Sequence, residues 1–476
     1  MKTRARNVLL ALALANAFGL VPACRTAAQS FTNLHNFVFT NGTGPVAGLI
    51  LSGSTLYGTT RIYGGGNGGG YGSVFKLNID GSGFTTLHIF SGDTDGGNLN
   101  GSVVLAGNML YGTATFGGGA NYGCIFGITT NGAGLTNIYN FSATSANFPS
   151  TNSDGAYPLA GLVLSGDTLY GTANEGGTKG WGTLFAVNTN GTAFTNLHNF
   201  SVSDGQYPAG SLLLSGSTLY GATPGGGSSG YGTLFKVTTN GAGFTNFYSF
   251  SAASGSPATN SDGAFPACEL VLSGNTLYGT APEGGNSGSG TIFKVNTDGS
   301  GFEVLHHFTT TAGLLSTNSD GARPQAGLVL YGDALYGTAS AGGTSGNGTV
   351  FKVNTDGTDF STVYSFTATN GVAGANSDGA RPVAGLIRSG STLYGTASAG
   401  GASGYGTVFS ILVPPPLTIA ASGNNVVLTW PVNVTGFNLQ SATNLAHPAI
   451  WEPVSGQHTV TNPISGRQKF YRLIHP

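Results

Sequence analysis

The apolar positions of this chain fall in short runs cut by Gly, Asn, Asp and Ser. Residues 160–200 read AGLVLSGDTLYGTANEGGTKGWGTLFAVNTNGTAFTNLHNF. The stretch predicts four strands, at 160–164, 168–173, 182–188 and 194–200. Ser165-Gly166-Asp167 and Thr189-Asn190-Gly191 carry the chemistry of tight turns between adjacent strands. The runs GLVL and TLFAV are apolar at every position rather than alternately, as strands covered on both faces are. No helical period appears after the first 28 residues.

The same pattern is written seven times. Its fixed word is Leu-Tyr-Gly, with tyrosines at Tyr57, Tyr111, Tyr170, Tyr220, Tyr278, Tyr336 and Tyr394. A phenylalanine follows each tyrosine by 15 residues, or 18 in the first copy: Phe75, Phe126, Phe185, Phe235, Phe293, Phe351 and Phe409. The tyrosines read as core residues, and the glycine after each leaves room for a neighbouring blade. A unit of this length cannot bury its own faces and must stack on its neighbours. Stacked four-stranded units make a linear solenoid or a closed β-propeller.

The chain ends choose between them. Residues 31–37, FTNLHNF, are a fourth strand without the three that should precede it. The seventh copy supplies strands one to three and stops after Phe409-Ser410-Ile411-Leu412. A ring in which the N-terminal strand completes the last blade accounts for both. The expected fold is therefore all-β: a seven-bladed β-propeller of four-stranded blades over residues 31–412.

Composition fits an ordered, uncharged fold. Charged residues are 7% and aromatics 11%, and the 82 glycines have no three-residue period. Net charge is −2 and no basic stripe exists, which argues against nucleic acid as a partner. Residues 1–28 resemble an export leader. Lys2, Arg4 and Arg6 precede an apolar run from Val8 to Val21, and small residues Thr26-Ala27-Ala28 follow. Removal of the leader takes four positive charges with it, leaving −6. Val21-Pro22-Ala23-Cys24 also admits lipid attachment at Cys24. No later stretch is long and apolar enough for a membrane helix. The remaining cysteines, Cys124 and Cys268, occupy different places in their repeats and are expected as buried free thiols. Secretion or surface display of a monomer is the expectation.

The pattern AGLVLSG-x-TLYGTA…GG…GTxFKVNTDG…F resembles the GloVer-type tandem repeats of secreted bacterial "choice-of-anchor" proteins. The resemblance covers residues 31–412 and implies export and a propeller-like region. It brings no established activity and no catalytic residues. Members often end in a sorting signal with an apolar helix and a basic tail, whereas this chain ends Phe470-Tyr471-Arg472-Leu473-Ile474-His475-Pro476. Kelch and NHL propellers are similar in strand rhythm only. Pro414-Pro415-Pro416, within a linker at 413–416, is stiff and extended. Residues 417–476 predict a small β-sandwich-like module centred on Trp430 and Trp451, resembling abbreviated fibronectin-III-like tails.

Candidate chemistry gathers on the face formed by the crossovers between blades and the loops between strands two and three. Loops that vary on a rigid scaffold are where function usually resides. Aromatic residues precede strand three at Tyr71, Tyr122, Trp181, Tyr231 and Tyr405, with Ser289 and Asn347 in the other blades. Tyr157, Tyr207 and Phe265 lie in crossovers. Flat apolar rings beside Asn, Asp and Thr suit a glycan or an extracellular protein. The competing reading is that these rings cover blade edges.

Asn-Ser-Asp-Gly recurs at 152–155, 260–263, 318–321 and 376–379, with Ser203-Asp204-Gly205 as a shorter form. One aspartate per blade spreads the carboxylates around a circle. Calcium needs about six to eight oxygens around one point, so aspartates capping local backbone amides are expected instead. His35, His88, His198 and His306 share one strand-four position with Tyr139, Tyr248 and Tyr364 and are expected to pack. Glu175 and Glu283 would serve acid/base hydrolysis only at about 5–9.5 Å from each other. Glycine runs such as Gly64–Gly70 precede no helix and are not phosphate loops. No cofactor is expected. The reading that results is a non-enzymatic binding propeller, against a structural envelope spacer or a polysaccharide-active enzyme.

Overall fold

In a computed structural model, the described residues are 30–63, 70–313, 315–370, 374–415, 417–422, 425–430, 437–442, 452–454, 459–463 and 469–474. The leader with Cys24, Gly64–Gly69, Pro416 and Trp451 lie outside them. Seven four-stranded antiparallel sheets make up residues 31–412. In blade three the strands are Val163–Ser165, Thr168–Ala173, Thr183–Asn188 and Thr195–Asn199. The first strand begins three residues later than the apolar run does. Ala160 is not free for its own sheet, because its carbonyl accepts the hydroxyl of Thr113 from blade two at 2.8 Å.

The ring closes as the orphan strand requires. The last sheet runs in the order Phe31–Asn36, Thr407–Leu412, Thr392–Ala397, Ile387–Ser389. Asn36 also accepts the amide of Ala402 at 2.9 Å, and the amide of Phe37 donates to Gly406 at 3.0 Å. These are contacts across more than 360 residues of sequence.

The core lies between blades. Tyr111, Ile125 and Phe141 of blade two pack against Leu162, Leu169, Phe185 and Val187 of blade three. At every junction the phenylalanine ending strand four meets the strand-three phenylalanine of the next blade. The seven pairs, from Phe37–Phe75 round to Phe366–Phe409, have ring centroids 4.9–5.4 Å apart.

The glycine of Leu-Tyr-Gly has a different job from the one expected. A methyl on Gly171 would lie 2.6 Å from Leu162 Cδ2 and 2.7 Å from Phe185 Cζ, both of its own blade. Gly171 faces Phe185 in register. The glycine therefore seats the strand-three ring within the blade, and that ring in turn meets the neighbour.

Cys124 and Cys268 are free and buried, as expected. Burial pushes the Cys124 thiol up to about 12. Beyond the ring, the C-terminal residues form two three-stranded sheets. One holds Thr418–Ser422, Asn425–Thr429 and Thr459–Pro463, the other Asn438–Ala442, Glu452–Pro453 and Phe470–Ile474. Leu428, Trp430, Phe437, Leu439, Val460 and Leu473 are buried together there.

Candidate binding face

The crossovers are held by a repeated clasp. The aspartate of each crossover reaches back 6–15 residues to strand four. Asp154, Asp262 and Asp378 accept the hydroxyls of Tyr139, Tyr248 and Tyr364, and Asp95, Asp204 and Asp320 bond His88, His198 and His306, all at 2.7–3.1 Å. Asp154 also accepts the amide of Ser142 at 2.9 Å and its hydroxyl. So these aspartates do cap backbone, but across the crossover rather than within their own turn. The preceding asparagine ties the crossover to the strand two–three loop: Asn152 Oδ1 accepts the amides of Gly155 at 2.9 Å and Gly177 at 2.7 Å. In the closing blade Asn41 replaces the aspartate and bonds His35 at 3.3 Å. The strand-four rings also stack, as expected: His198 lies 3.5 Å from Phe244 and Tyr139 3.9 Å from Phe194.

Three residues past each clasp residue, Asn41 included, the backbone turns left-handed. Gly44, Asn98, Tyr157, Tyr207, Phe265, Arg323 and Arg381 all have φ between 55° and 62°. Bulky residues avoid this region, and all but Asn98 precede a proline. What holds them is one hydrogen bond per junction. The amide of Tyr157 donates to Tyr122 at 2.8 Å, that of Tyr207 to Trp181 at 3.1 Å and that of Phe265 to Tyr231 at 2.9 Å. Strained backbone of this kind, over-determined by its surroundings, concentrates at functional sites.

Those bonds bring most of the expected aromatic residues together in pairs across blade boundaries. Ring centroids are 5.4 Å apart for Tyr122–Tyr157, 5.4 Å for Trp181–Tyr207 and 5.3 Å for Tyr231–Phe265. Phe148 and Phe116 extend the first two pairs, each at 5.4 Å. Tyr405 instead joins Phe39 at 6.1 Å, and Phe39 joins Tyr63 at 4.7 Å. Tyr71 stands apart. Its ring lies over Gly92, where a Cβ would come within 2.4 Å of it.

Glu175 stands between two of the pairs. Burial raises the Tyr157 hydroxyl above its ordinary pKa, and Tyr122 and the Glu175 carboxylate add to it. Burial and then Glu175 do the same to Tyr207. One carboxylate thus acts on tyrosines of two crossovers. Glu283 holds the matching place two blades on, with Gly225 at that position between them, so the structure does not bring the two acids together. Among the described residues no group of three His, Cys, Asp or Glu side chains could hold a metal ion.

The exposed apolar side chains mark the same face. Val38, Ile62, Tyr63, Tyr71, Phe116, Phe148, Val202 and Leu315 are the large exposed ones among the described residues, and each lies in a crossover or a strand two–three loop. On the far arc of this face the aromatic pairs give way to Arg323, Arg381 and Arg61, all exposed.

Beneath the face, the innermost strands approach one another closely around the axis. The fourth position after the left-handed residue is Gly48, Gly161, Gly327 and Gly385 in four blades, and Ser102 and Ser211 in two more. In blade five it is Glu269. A methyl on Gly327 would lie 2.9 Å from the carbonyl oxygen of Glu269 and 3.1 Å from its Cβ. Cys268 and Leu270, on either side, are both buried in the blade core. Glu269 itself is exposed between them. The protein packed around it disfavours the charged form and pushes its pKa up to about 7.

A repeat model matches the sequence at residues 12–152, 144–317 and 309–424, which together take in every blade. It is the Gloeobacter/Verrucomicrobia repeat. The chain belongs to that family. No curated protein matches this repeat protein. Among solved structures, an oligogalacturonate lyase from Vibrio parahaemolyticus is similar at 10% identity and TM-score 0.46, over 83% of this chain and 96% of that one. A chain of a nidogen/laminin complex is similar at 13% identity and TM-score 0.37, over 62% and 91%. A puromycin-hydrolyzing peptidase from Mycobacterium tuberculosis is similar at 10% identity and TM-score 0.46, over 86% and 62%. At such identities their chemistry does not transfer to the Gloeobacter/Verrucomicrobia repeat protein.

Three features of this repeat protein escape a reading by motif. Phe39, Tyr63, Phe116 and Phe148 belong to the aromatic face but sit where the repeat is not otherwise aromatic, Phe116 at the place held by Glu175 in the next blade. Arg323 and Arg381 replace aromatic residues at the left-handed position, visible only when the residue before each crossover proline is compared blade by blade. Glu269 shows itself the same way, as the one acid at a place otherwise given to Gly or Ser.

Proposed function

We propose that this protein is an exported, non-enzymatic propeller that binds carbohydrate through the aromatic arc of its crossover face, in blades two to five. The observation that carries the reading is the set of cross-blade pairs Tyr122–Tyr157, Trp181–Tyr207 and Tyr231–Phe265, the first two with Glu175 between them, held by left-handed backbone. Aromatic rings offer flat apolar area for the C–H faces of a sugar, with polar atoms at their edges. The Glu175 carboxyl oxygens accept hydrogen bonds and suit sugar hydroxyls. A rigid strand scaffold keeps the rings in place, so little ordering is needed on binding. Export rests on the leader-like residues 1–28.

A glycan array probed with the chain from residue 29 onward tests the reading. Binding to one carbohydrate class, lost in Trp181→Ala and Tyr231→Ala, is the expected result. Capture of extracellular proteins without glycan binding would move the assignment to a protein partner. No binding to glycans or envelope extracts would favour a structural spacer. Turnover of a polysaccharide, abolished by Glu175→Gln, would make the protein an enzyme.

A further inference from the structure

We propose that the aromatic arc runs on through the closing junction and ends there on a subsite for an acidic sugar, its carboxylate taken by Arg61 in a notch over Gly44 beside Tyr405. This rests on the carbohydrate reading and names the class of sugar.

The notch is a departure from the repeat. At three junctions the left-handed residue is Tyr157, Tyr207 or Phe265, and its ring packs at 5.3–5.4 Å on the ring that precedes strand three of the blade before. At the closing junction that place is Gly44, whose amide makes the equivalent bond, to Tyr405 at 3.1 Å. The backbone is built as elsewhere and only the side chain is missing. A methyl placed on Gly44 would meet two atoms within 4 Å, the carbonyl oxygen of Ser398 at 3.9 Å and Cβ of Arg61 at 4.0 Å. The space that a ring fills at the other three junctions is therefore open. Arg61 is fixed at its edge, because its amide donates to the carbonyl of Gly44 at 3.1 Å.

Aromatic rings lead from the notch to the arc. Tyr405 joins Phe39, Phe39 joins Tyr63, and Tyr63 bridges to Tyr71. The amide of Asn98 donates to Tyr71 at 2.6 Å, and the adjacent Gly97 bridges to Phe116, which packs on Tyr157.

The charge at this end is uncompensated. Among the described residues Arg61 and Arg381 belong to no ion pair. Arg381 stands close by, since its carbonyl accepts the hydroxyl of Ser398 at 2.8 Å. The crossovers and strand two–three loops of blades seven and one hold a single acid, Asp378. It is buried and accepts the Tyr364 hydroxyl at 2.7 Å. Over blades two to five the same face carries Asp93, Glu175 and Glu283 against Lys179. An anionic group on a sugar chain lying along the rings is thus drawn to the closing end. A guanidinium forks onto a carboxylate through two N–H donors, while a tyrosine ring takes the C–H face of the same sugar.

Binding is measured to alginate, hyaluronan and a glucuronan, each beside its carboxyl-reduced neutral form. At least one acid form should bind about tenfold tighter than its reduced form at low salt, the worth of one charge-assisted hydrogen bond. Added NaCl should narrow the ratio, because the pair is exposed to screening. Arg61→Gln should bring the ratio to near one. Gly44→Tyr should do the same by restoring the ring, and its φ of 62° is close to the 56° and 58° at which Tyr157 and Tyr207 already sit. Reduced forms that bind as tightly as the acids, or a preference that survives both substitutions, would overturn the subsite. Tighter binding of the sulfated neutral polymers than of the uronates would overturn the carboxylate assignment, and equal binding of polyglutamate would overturn the sugar. The carbohydrate reading itself fails separately, by absence of binding to every polymer in either form. Should Gly44→Tyr fail to fold, Arg61→Gln decides the matter alone.

Discussion

The ring of Phe37 stands edge-on to that of Phe75 with centroids 5.1 Å apart. Phe37 ends a strand that completes blade seven, and Phe75 lies in strand three of blade one. The contact is the same Phe–Phe junction found between every other pair of blades, and here it joins the two ends of the ring. Phe37 is fully buried. Phe37→Ala should therefore lower unfolding stability by about 3–5 kcal/mol, the cost of emptying a core aromatic site. Denaturant titration checks it. A chain beginning at Val38 should lose the cooperative transition of the ring, and an unchanged midpoint would refute closure.

The seat beneath Phe185 gives a second test. Gly171→Ala forces a methyl to within about 2.7 Å of the Phe185 ring and Leu162. Overpacking of this kind costs about 1–3 kcal/mol. Glycine at a surface turn such as Gly166, where a methyl meets nothing, should tolerate more space, although its φ of 57° keeps some strain in the backbone. Thermal melts of Gly171→Ala and Gly166→Ala should separate clearly, with the first melting lower.

The architecture was legible because the repeat states each rule seven times. Blade number, strand order and ring closure follow from Leu-Tyr-Gly and the split last copy. The clasp was half legible. Asn-Ser-Asp-Gly announced a turn, but its partner is a strand-four His or Tyr 14–15 residues away, with no local spacing to reveal it. The tyrosine–glycine word points to a close neighbouring blade, whereas the glycine accommodates a ring of its own blade. The site was legible as residue types. Pairing Tyr122 with Tyr157 or Trp181 with Tyr207 needs the left-handed turn before proline, a conformation that sequence chemistry disfavours for tyrosine.

His35 makes stability depend on acid. Burial lowers its pKa to about 4 from an ordinary 6.5, so the folded state keeps it neutral. Its ring stacks on Phe84 at 3.7 Å and accepts from Asn41. The unfolded chain binds this proton as pH falls below about 6.5, and the folded one only near 4, so stability is lost across that window and not below it. Tyrosine occupies the same place in three blades. His35→Tyr should flatten the melting temperature between pH 6.5 and 4, whereas an unaltered slope would show that His35 is not the group responsible.

Glu269 acts in the opposite direction. Burial holds its folded pKa at about 7, above the ordinary 4.5. The protonated form is favoured in the fold, so its penalty is absent below pH 4.5 and grows as pH rises towards 7. Glu269→Gln should melt higher than the unmodified protein at pH 8 and equally at pH 4. A lower melt at both would mean that the side chain supports the inner ring structurally.

Carbohydrate recognition by the aromatic arc is the central claim, and isothermal titration with the ligand selected on the array tests it most directly. Trp181→Ala and Tyr207→Ala together should weaken binding at least tenfold, while Arg323→Ala on the far arc and Asn190→Ala on the opposite face leave it unchanged with melting temperatures intact. Equal affinity in the Trp181/Tyr207 variant, or equal loss in all three variants, would contradict the account.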